Sequence, residues 1–264
     1  MWPILFKINN LEIKSYWVFM FLAYFLGGLI FYFLAREALK KRDLIVFILV
    51  LALSGFVGAR LNYVLLNLDF YLKNPYEILL FYHGGFTSYG GFIGGLIAAF
   101  CYLKYVLKQK NEEIKKLFDQ GMLAFLFGHS LGRIGCFLNG CCYGKPSASF
   151  LSVILPALKD NIFRHPTQLY ESFGYFFVYL FLLKKYFKKE LNNGLFFGWG
   201  LFLHELIRFI VEFFRENKSY ISYIFFGEEI KISPAQLASL ILIIISLLII
   251  NLFQKSKTLK EEGQ

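Results

Sequence analysis

"SYWVFMFLAYFLGGLIFYFLAREALKKR", residues 15 to 42, decides the fold. It carries no charge before Arg36, and a hydrocarbon core about 30 Å thick needs roughly 20 such residues in a helix. Arg36, Lys40, Lys41 and Arg42 then close the run as a basic stop-transfer flank closes a membrane span. The apolar stretch is too long for a cleaved signal and no small-x-small site follows it, so it reads as a retained helix.

Similar blocks begin near Leu44, Ser88, Asp119, Gln168, Gly194 and Pro234. With the one at Ser15 they predict an all-α integral membrane protein of seven transmembrane helices, forming a single domain over 1–264. No Pro/Ser linker, low-complexity tract or clear repeat divides the chain. Composition agrees: 57% of the residues are hydrophobic, 20% aromatic, and the mean hydropathy of +0.54 is too high for a wetted surface. The +10 net charge comes from lysines in short runs between apolar blocks, which suits lipid headgroups and argues against nucleic acid. One set of alternate loops holds sixteen lysines and arginines and the other nine, which predicts the amino terminus outside and the carboxyl terminus in the cytoplasm.

An ionisable residue inside a span is costly and faces a partner or a wet cavity. Those expected here are Arg60, Arg133, Glu171, His204, Glu205, Arg208 and Glu212, each toward the outer side. His204, Arg208 and Glu212 are spaced four apart and share one helix face. That spacing admits a structural Arg208–Glu212 salt bridge, or an Arg208 that Glu212 holds ready for an external anion. Arg133, with no carboxylate near it in sequence, adds a second guanidinium at the same depth, and two arginines suit bidentate phosphate binding.

"HGGFTSYGGFIGG", residues 83 to 95, leads into the third span. Gly90, Gly91, Gly94 and Gly95 read as small-residue helix packing, and Gly84 and Gly85 as a backbone turn. "GRIGCFLNGCCYGKP", residues 132 to 146, places Cys136, Cys141 and Cys142 at a helix end. The C-x4-C-C spacing lacks the C-x2-C pairs of structural zinc sites, so no metal is assigned; a disulfide and plain packing both stay open. "HPTQLYE", residues 165 to 171, is a helix start with Pro166 at its head.

Six segments in order resemble the bacterial prolipoprotein diacylglyceryl transferases: "SYW" at 15 to 17, "GARLNYVL" at 58 to 65, "GGFTSYGGFIGG" at 84 to 95, "GRIGCFLNGCCYG" at 132 to 144, "HPTQLYE" at 165 to 171 and "RFIVEFFR" at 208 to 215. The resemblance implies a cofactor-free enzyme of the bacterial inner membrane, its active site toward the outer leaflet. It would move the diacylglyceryl group of phosphatidylglycerol onto the lipobox cysteine of a prolipoprotein signal peptide and release glycerol phosphate. It further implies that Arg133 and Arg208 contact the phospholipid, with Tyr16, Asn139 and Gly144 at substrate-binding positions and Glu212 at the family's glutamate. Cys136 and Cys141 depart from the family's usual asparagine and glutamate. Tyr89 stands where many members carry histidine, and His204 where tyrosine is common. Tyr89, His204 and His83 are thus the candidate bases. A phospholipid-binding or transporting paralogue without turnover is the alternative.

Overall fold

The structure, a computed structural model, describes residues 4–8, 11–81, 84–158, 160–191, 193–216, 221–225 and 228–261. His83 lies outside them. The described chain is mostly helical: α1 (Ser15–Ala35), α2 (Lys41–Leu66), the short α3 (Leu68–Lys73), α4 (Ser88–Cys101), α5 (Asn111–Asn139), α6 (Thr167–Phe187), α7 (Leu195–Glu212) and α8 (Pro234–Glu261). A π-helical turn, Tyr102–Val106, continues α4. Three antiparallel hairpins depart from the all-α expectation: β1 (Ile4–Ile8) with β2 (Leu11–Lys14), β3 (Val153–Ile154) with β4 (Phe163–Arg164), and β5 (Ile221–Phe225) with β6 (Glu228–Ile232). They occupy segments outside the apolar blocks, where hydropathy gives no signal.

Among the described residues five helices are long and apolar enough to cross a membrane: α1, α2, α4 with its π turn, α5, and α8 as far as Lys255. Their outward faces carry large apolar side chains such as Phe21, Phe25, Leu53 and Leu248, an exposure that a soluble protein avoids over contiguous surface. α6 and α7 are the remaining two blocks of the expected seven. They bury Gln168, Glu171, Glu205 and Glu212, and this polar content lowers their hydropathy. α5 begins ahead of Asp119 because the polar turns of "NEEIKKLF" extend the helix beyond its apolar part.

The chain forms two compact units, 1–31 with 118–264, and 32–117. In the first, α1 meets α5 through small residues: a Cβ on Gly128 would stand 3.0 Å from the Ala23 carbonyl oxygen, and one on Gly27 3.3 Å from that of Ala124. Asp119, buried in α5, accepts the amide N–H of Gly194 at 2.6 Å and of Phe197 at 2.7 Å. It thereby satisfies free donors at the start of α7 and places negative charge at the positive end of that helix. Ser233 and Gln236 cap α8 reciprocally: Gln236 N–H donates to Ser233 Oγ at 3.1 Å, and Ser233 N–H donates to Gln236 Oε1 at 3.0 Å.

In the second unit α2 and α4 pack through glycine. A Cβ on Gly94 would lie 2.9 Å from the Ser54 carbonyl oxygen and 3.0 Å from Gly58 Cα, while one on Gly91 would lie 3.1 Å from the Gly55 oxygen. Gly90 is likewise closed in by Asn62 and Gly58, but Gly95 faces open space, so its expected packing role is corrected. Arg60 is buried and organises the turn ahead of α4. Its guanidinium donates to the carbonyls of Glu77 (2.6 Å), Ile78 (3.2 Å) and Gly85 (3.2 Å), and also to Gly84. Gly84 and Gly85 hold φ of +80° and +81°, a region open to glycine and strained for other residues.

Substituting Gly94→Ala forces backbone apart and is expected to cost about 1–3 kcal/mol. Thermal unfolding in detergent should show a lowered midpoint for Gly94→Ala and no loss for Gly95→Ala. Equal losses would contradict the glycine contact described.

Candidate active site

The first unit concentrates buried charge where α5, α6 and α7 meet. Each helix contributes two residues four apart, which therefore share one face: His129 and Arg133 on α5, Glu171 and Tyr175 on α6, His204 and Arg208 on α7. The result is two layers. One holds the rings of His129, Tyr175 and His204; the other holds Arg133, Glu171 and Arg208.

In the charged layer Glu171 lies between the arginines. Its Oε2 is 2.6 Å from Arg133 Nε, and its Oε1 accepts from Arg208 Nη1. Glu212 then pairs with Arg208 Nη2 at 3.3 Å and with Arg215 Nη1 at 3.6 Å. Ser233, at the head of α8, donates its hydroxyl to Glu212 Oε1 at 3.0 Å and fixes that carboxylate. The sequence reading of Arg133 as remote from any carboxylate holds only along the chain, since folding brings Glu171 to it. Among the described residues three guanidiniums meet two carboxylates in this connected cluster, an excess of one positive charge. Glu171, Glu212 and Arg133 are each less than 10% exposed, which makes that charge strongly felt by an anion of matching shape.

The ring layer carries a hydrogen-bond chain. His204 Nδ1 is 3.0 Å from Glu205 Oε1, and His204 Nε2 is 2.9 Å from His129 Nδ1. Tyr175 stacks on both imidazoles, with centroids at 4.3 Å to His204 and 4.8 Å to His129. His204 thus has both ring nitrogens engaged, one by Glu205 and one by His129. The spacing of His129 from Arg133 repeats that of His204 from Arg208.

The ends of α5 and α7 and the start of α6 are braided together. Gly144 N–H donates to the His165 carbonyl at 3.0 Å, Lys145 N–H to Phe214 at 2.8 Å, and Glu216 N–H to Tyr143 at 3.1 Å. Gly144 sits at the crossing, where a Cβ would come within 2.6 Å of the His165 oxygen and 2.7 Å of the Phe214 oxygen. Gln168 and Thr167 donate to the carbonyls of Cys141 (2.6 Å) and Cys142 (2.9 Å) and so tie α6 to the turn after α5. Arg164 on β4 pairs with Asp160 at 2.6 Å and with Glu216, and its hydrogen bond holds the Asp160 carboxyl below the usual carboxylate range.

Tyr16 lies in the first turn of α1, its backbone packed against Gly135 of α5, where a Cβ would stand 3.5 Å from the Tyr16 oxygen. Asn139 ends α5. Tyr89, half-buried in the first turn of α4, belongs to the second unit. The fold therefore pairs Arg208 with Glu212, links Arg133 to Arg208 through Glu171, and places His204 one turn away along α7.

These helices and this cluster define a multi-pass membrane protein with a buried layer of paired arginines and glutamates. The profile of one family, described as prolipoprotein diacylglyceryl transferase, matches residues 3–252. Proteins named phosphatidylglycerol--prolipoprotein diacylglyceryl transferase are similar along nearly the whole chain. That of Clostridium tetani is 33% identical over 258 residues, covering 95% of this chain and 97% of its own, and that of Ehrlichia canis 32% over 257 residues, covering 94% of each. The Rickettsia bellii protein is 35% identical over 239 residues, 84% of this chain and 86% of its own. The chain belongs to the prolipoprotein diacylglyceryl transferase family.

Removing one partner from a buried ion pair costs about 3–5 kcal/mol, against about 1 kcal/mol for an ordinary hydrogen bond. Glu171→Gln should therefore lower the thermal midpoint well beyond Ser172→Ala, which loses a single 2.8 Å bond to the Ser130 carbonyl. Equal midpoints for the two variants would show that Glu171 does not bridge the arginines.

Proposed function

We propose that the protein transfers the diacylglyceryl group of phosphatidylglycerol to the thiol of the lipobox cysteine in a prolipoprotein signal peptide, releasing glycerol phosphate. The observation that carries this reading is the excess positive charge on the Arg133, Arg208 and Arg215 cluster. In the reaction a sulfur–carbon bond forms at the glycerol carbon while the carbon–oxygen bond to phosphate breaks, and negative charge grows on the leaving phosphate. Buried, preorganised guanidiniums stabilise such charge better than water does. Arg133 and Arg208, ordered by Glu171 and Glu212, take that role.

The attacking thiol must lose its proton. The Glu205, His204 and His129 chain supplies an imidazole with a carboxylate behind it, the arrangement that orients a general base. Tyr89 is the second candidate, at the family's histidine position. Tyr16, Asn139 and Gly144 complete the substrate-binding surface in this reading, with Gly144 acting by letting three backbone segments approach closely. The surrounding frame is a single transferase domain over 1–264 in the bacterial inner membrane. It crosses seven times, with the amino terminus outside, the carboxyl terminus in the cytoplasm and the site toward the outer leaflet. The loop charge asymmetry supports that orientation.

The purified protein, incubated with phosphatidylglycerol and a lipobox peptide, should add a diacylglyceryl mass to the peptide. Arg133→Ala and Arg208→Ala should each lower turnover by about a hundredfold or more. His129→Ala and His204→Ala should lower it by about 10²–10⁴. No adduct under conditions where a known transferase gives one would leave phospholipid binding without turnover as the reading. Near-wild-type rate in either arginine variant would remove that arginine from the mechanism.

A further inference from the structure

We infer that Cys136, Cys141 and Cys142 form a three-thiolate site for a single thiophilic metal ion of the zinc type. Their spacing along the chain argued against a metal, but their folded positions argue for one. The three sulfur atoms all lie within 4.8 Å of one another, and among the described residues no other trio of histidine, cysteine or acidic side chains converges in this way. Zinc–sulfur bonds of about 2.3 Å in tetrahedral geometry set sulfur atoms about 3.8 Å apart. Each sulfur pair therefore needs to close by no more than about 1 Å.

The backbone is arranged around this convergence. Cys141 N–H donates to the Cys136 carbonyl at 3.1 Å, which folds the chain back on the end of α5. Cys142 has φ of +61°, a left-handed conformation that costs a residue with a Cβ roughly 1–2 kcal/mol. Glycine or asparagine is the usual occupant of such a position, so a cysteine there points to a use for its sulfur. The Cys141 and Cys142 carbonyls are pinned by Gln168 and Thr167 of α6, which leaves the two side chains little freedom to part. All three cysteines are half-buried and unbridged.

Charge also fits. Three thiolates around a dication carry one net negative charge. Arg133 stands one turn before Cys136 on α5, and the Arg215 backbone pairs with Gly144 two residues beyond Cys142, so both arginines belong to segments adjoining the cluster. Three protein ligands leave a fourth tetrahedral position for an outside donor, as sites that keep an exchangeable ligand do.

The test reads metal rather than turnover, so it stands or falls separately from the transferase assay. The full-length reduced protein in detergent, titrated with Co²⁺, should bind one ion per chain and show thiolate-to-cobalt charge-transfer absorption that equimolar Zn²⁺ abolishes. That absorption should disappear in Cys141→Ser and in Cys142→Ser and persist in Cys101→Ser. In the unaltered protein, Zn²⁺ should shield three of the four cysteines from alkylation by mass. Absence of the charge-transfer band, its persistence in the Cys141→Ser,Cys142→Ser double variant, or a disulfide among the three in protein isolated without reductant would each overturn the proposal.

Discussion

The carboxylate of Glu171 between Arg133 and Arg208 is the interaction on which the site depends. Two guanidiniums could not share a buried layer unaided, because like charges repel strongly where water is excluded. Glu171 lets both sit there, and its place at the start of α6 is set by the braid in which Gln168 and Thr167 hold the turn after α5. The arginines come from α5 and α7, so one acidic residue joins all three helices. A buried ion pair is weak evidence for stability, since desolvation offsets much of the attraction. Its value here is geometric: it fixes where two guanidiniums point.

The remaining charges extend that constraint outward. Glu212 pairs with a second nitrogen of Arg208 and is held by Ser233, so the start of α8 positions a residue on the last turn of α7. With Arg215 included the cluster holds, among the described residues, one positive charge in excess, and a phosphate diester carries the complementary charge. Beneath it, the His129, Tyr175 and His204 rings form a layer through which Glu205 can influence a proton at His129.

Along the sequence, the helix starts were largely legible, because hydropathy in blocks follows from the thickness of a bilayer; Ser15, Ser88 and Pro234 begin α1, α4 and α8 where expected. The three short hairpins were not, since they lie outside the apolar blocks. His204, Arg208 and Glu212 could be read as one face because they share a helix. The matching pairs on α5 and α6 follow the same spacing, but their convergence with α7 is a tertiary fact that no single-helix pattern carries. For the same reason Glu171 read as a buried ionisable residue at a helix start without its partners, and the three cysteines, sorted by spacing, left a disulfide and plain packing open but did not show that all three sulfurs converge. Arg60 shows the reverse case: a charge in an apolar block invited a functional reading, whereas its guanidinium is spent on the carbonyls of one turn.

The central claim, that the buried arginine cluster holds a lipid phosphate, is tested most directly by direct lipid binding. Native mass spectrometry of the purified protein with phosphatidylglycerol and with diacylglycerol of the same chains separates headgroup charge from acyl contacts. The account predicts a retained phosphatidylglycerol adduct, little diacylglycerol, and loss of that preference in Arg208→Gln. Equal retention of the two lipids by the unaltered protein would contradict it.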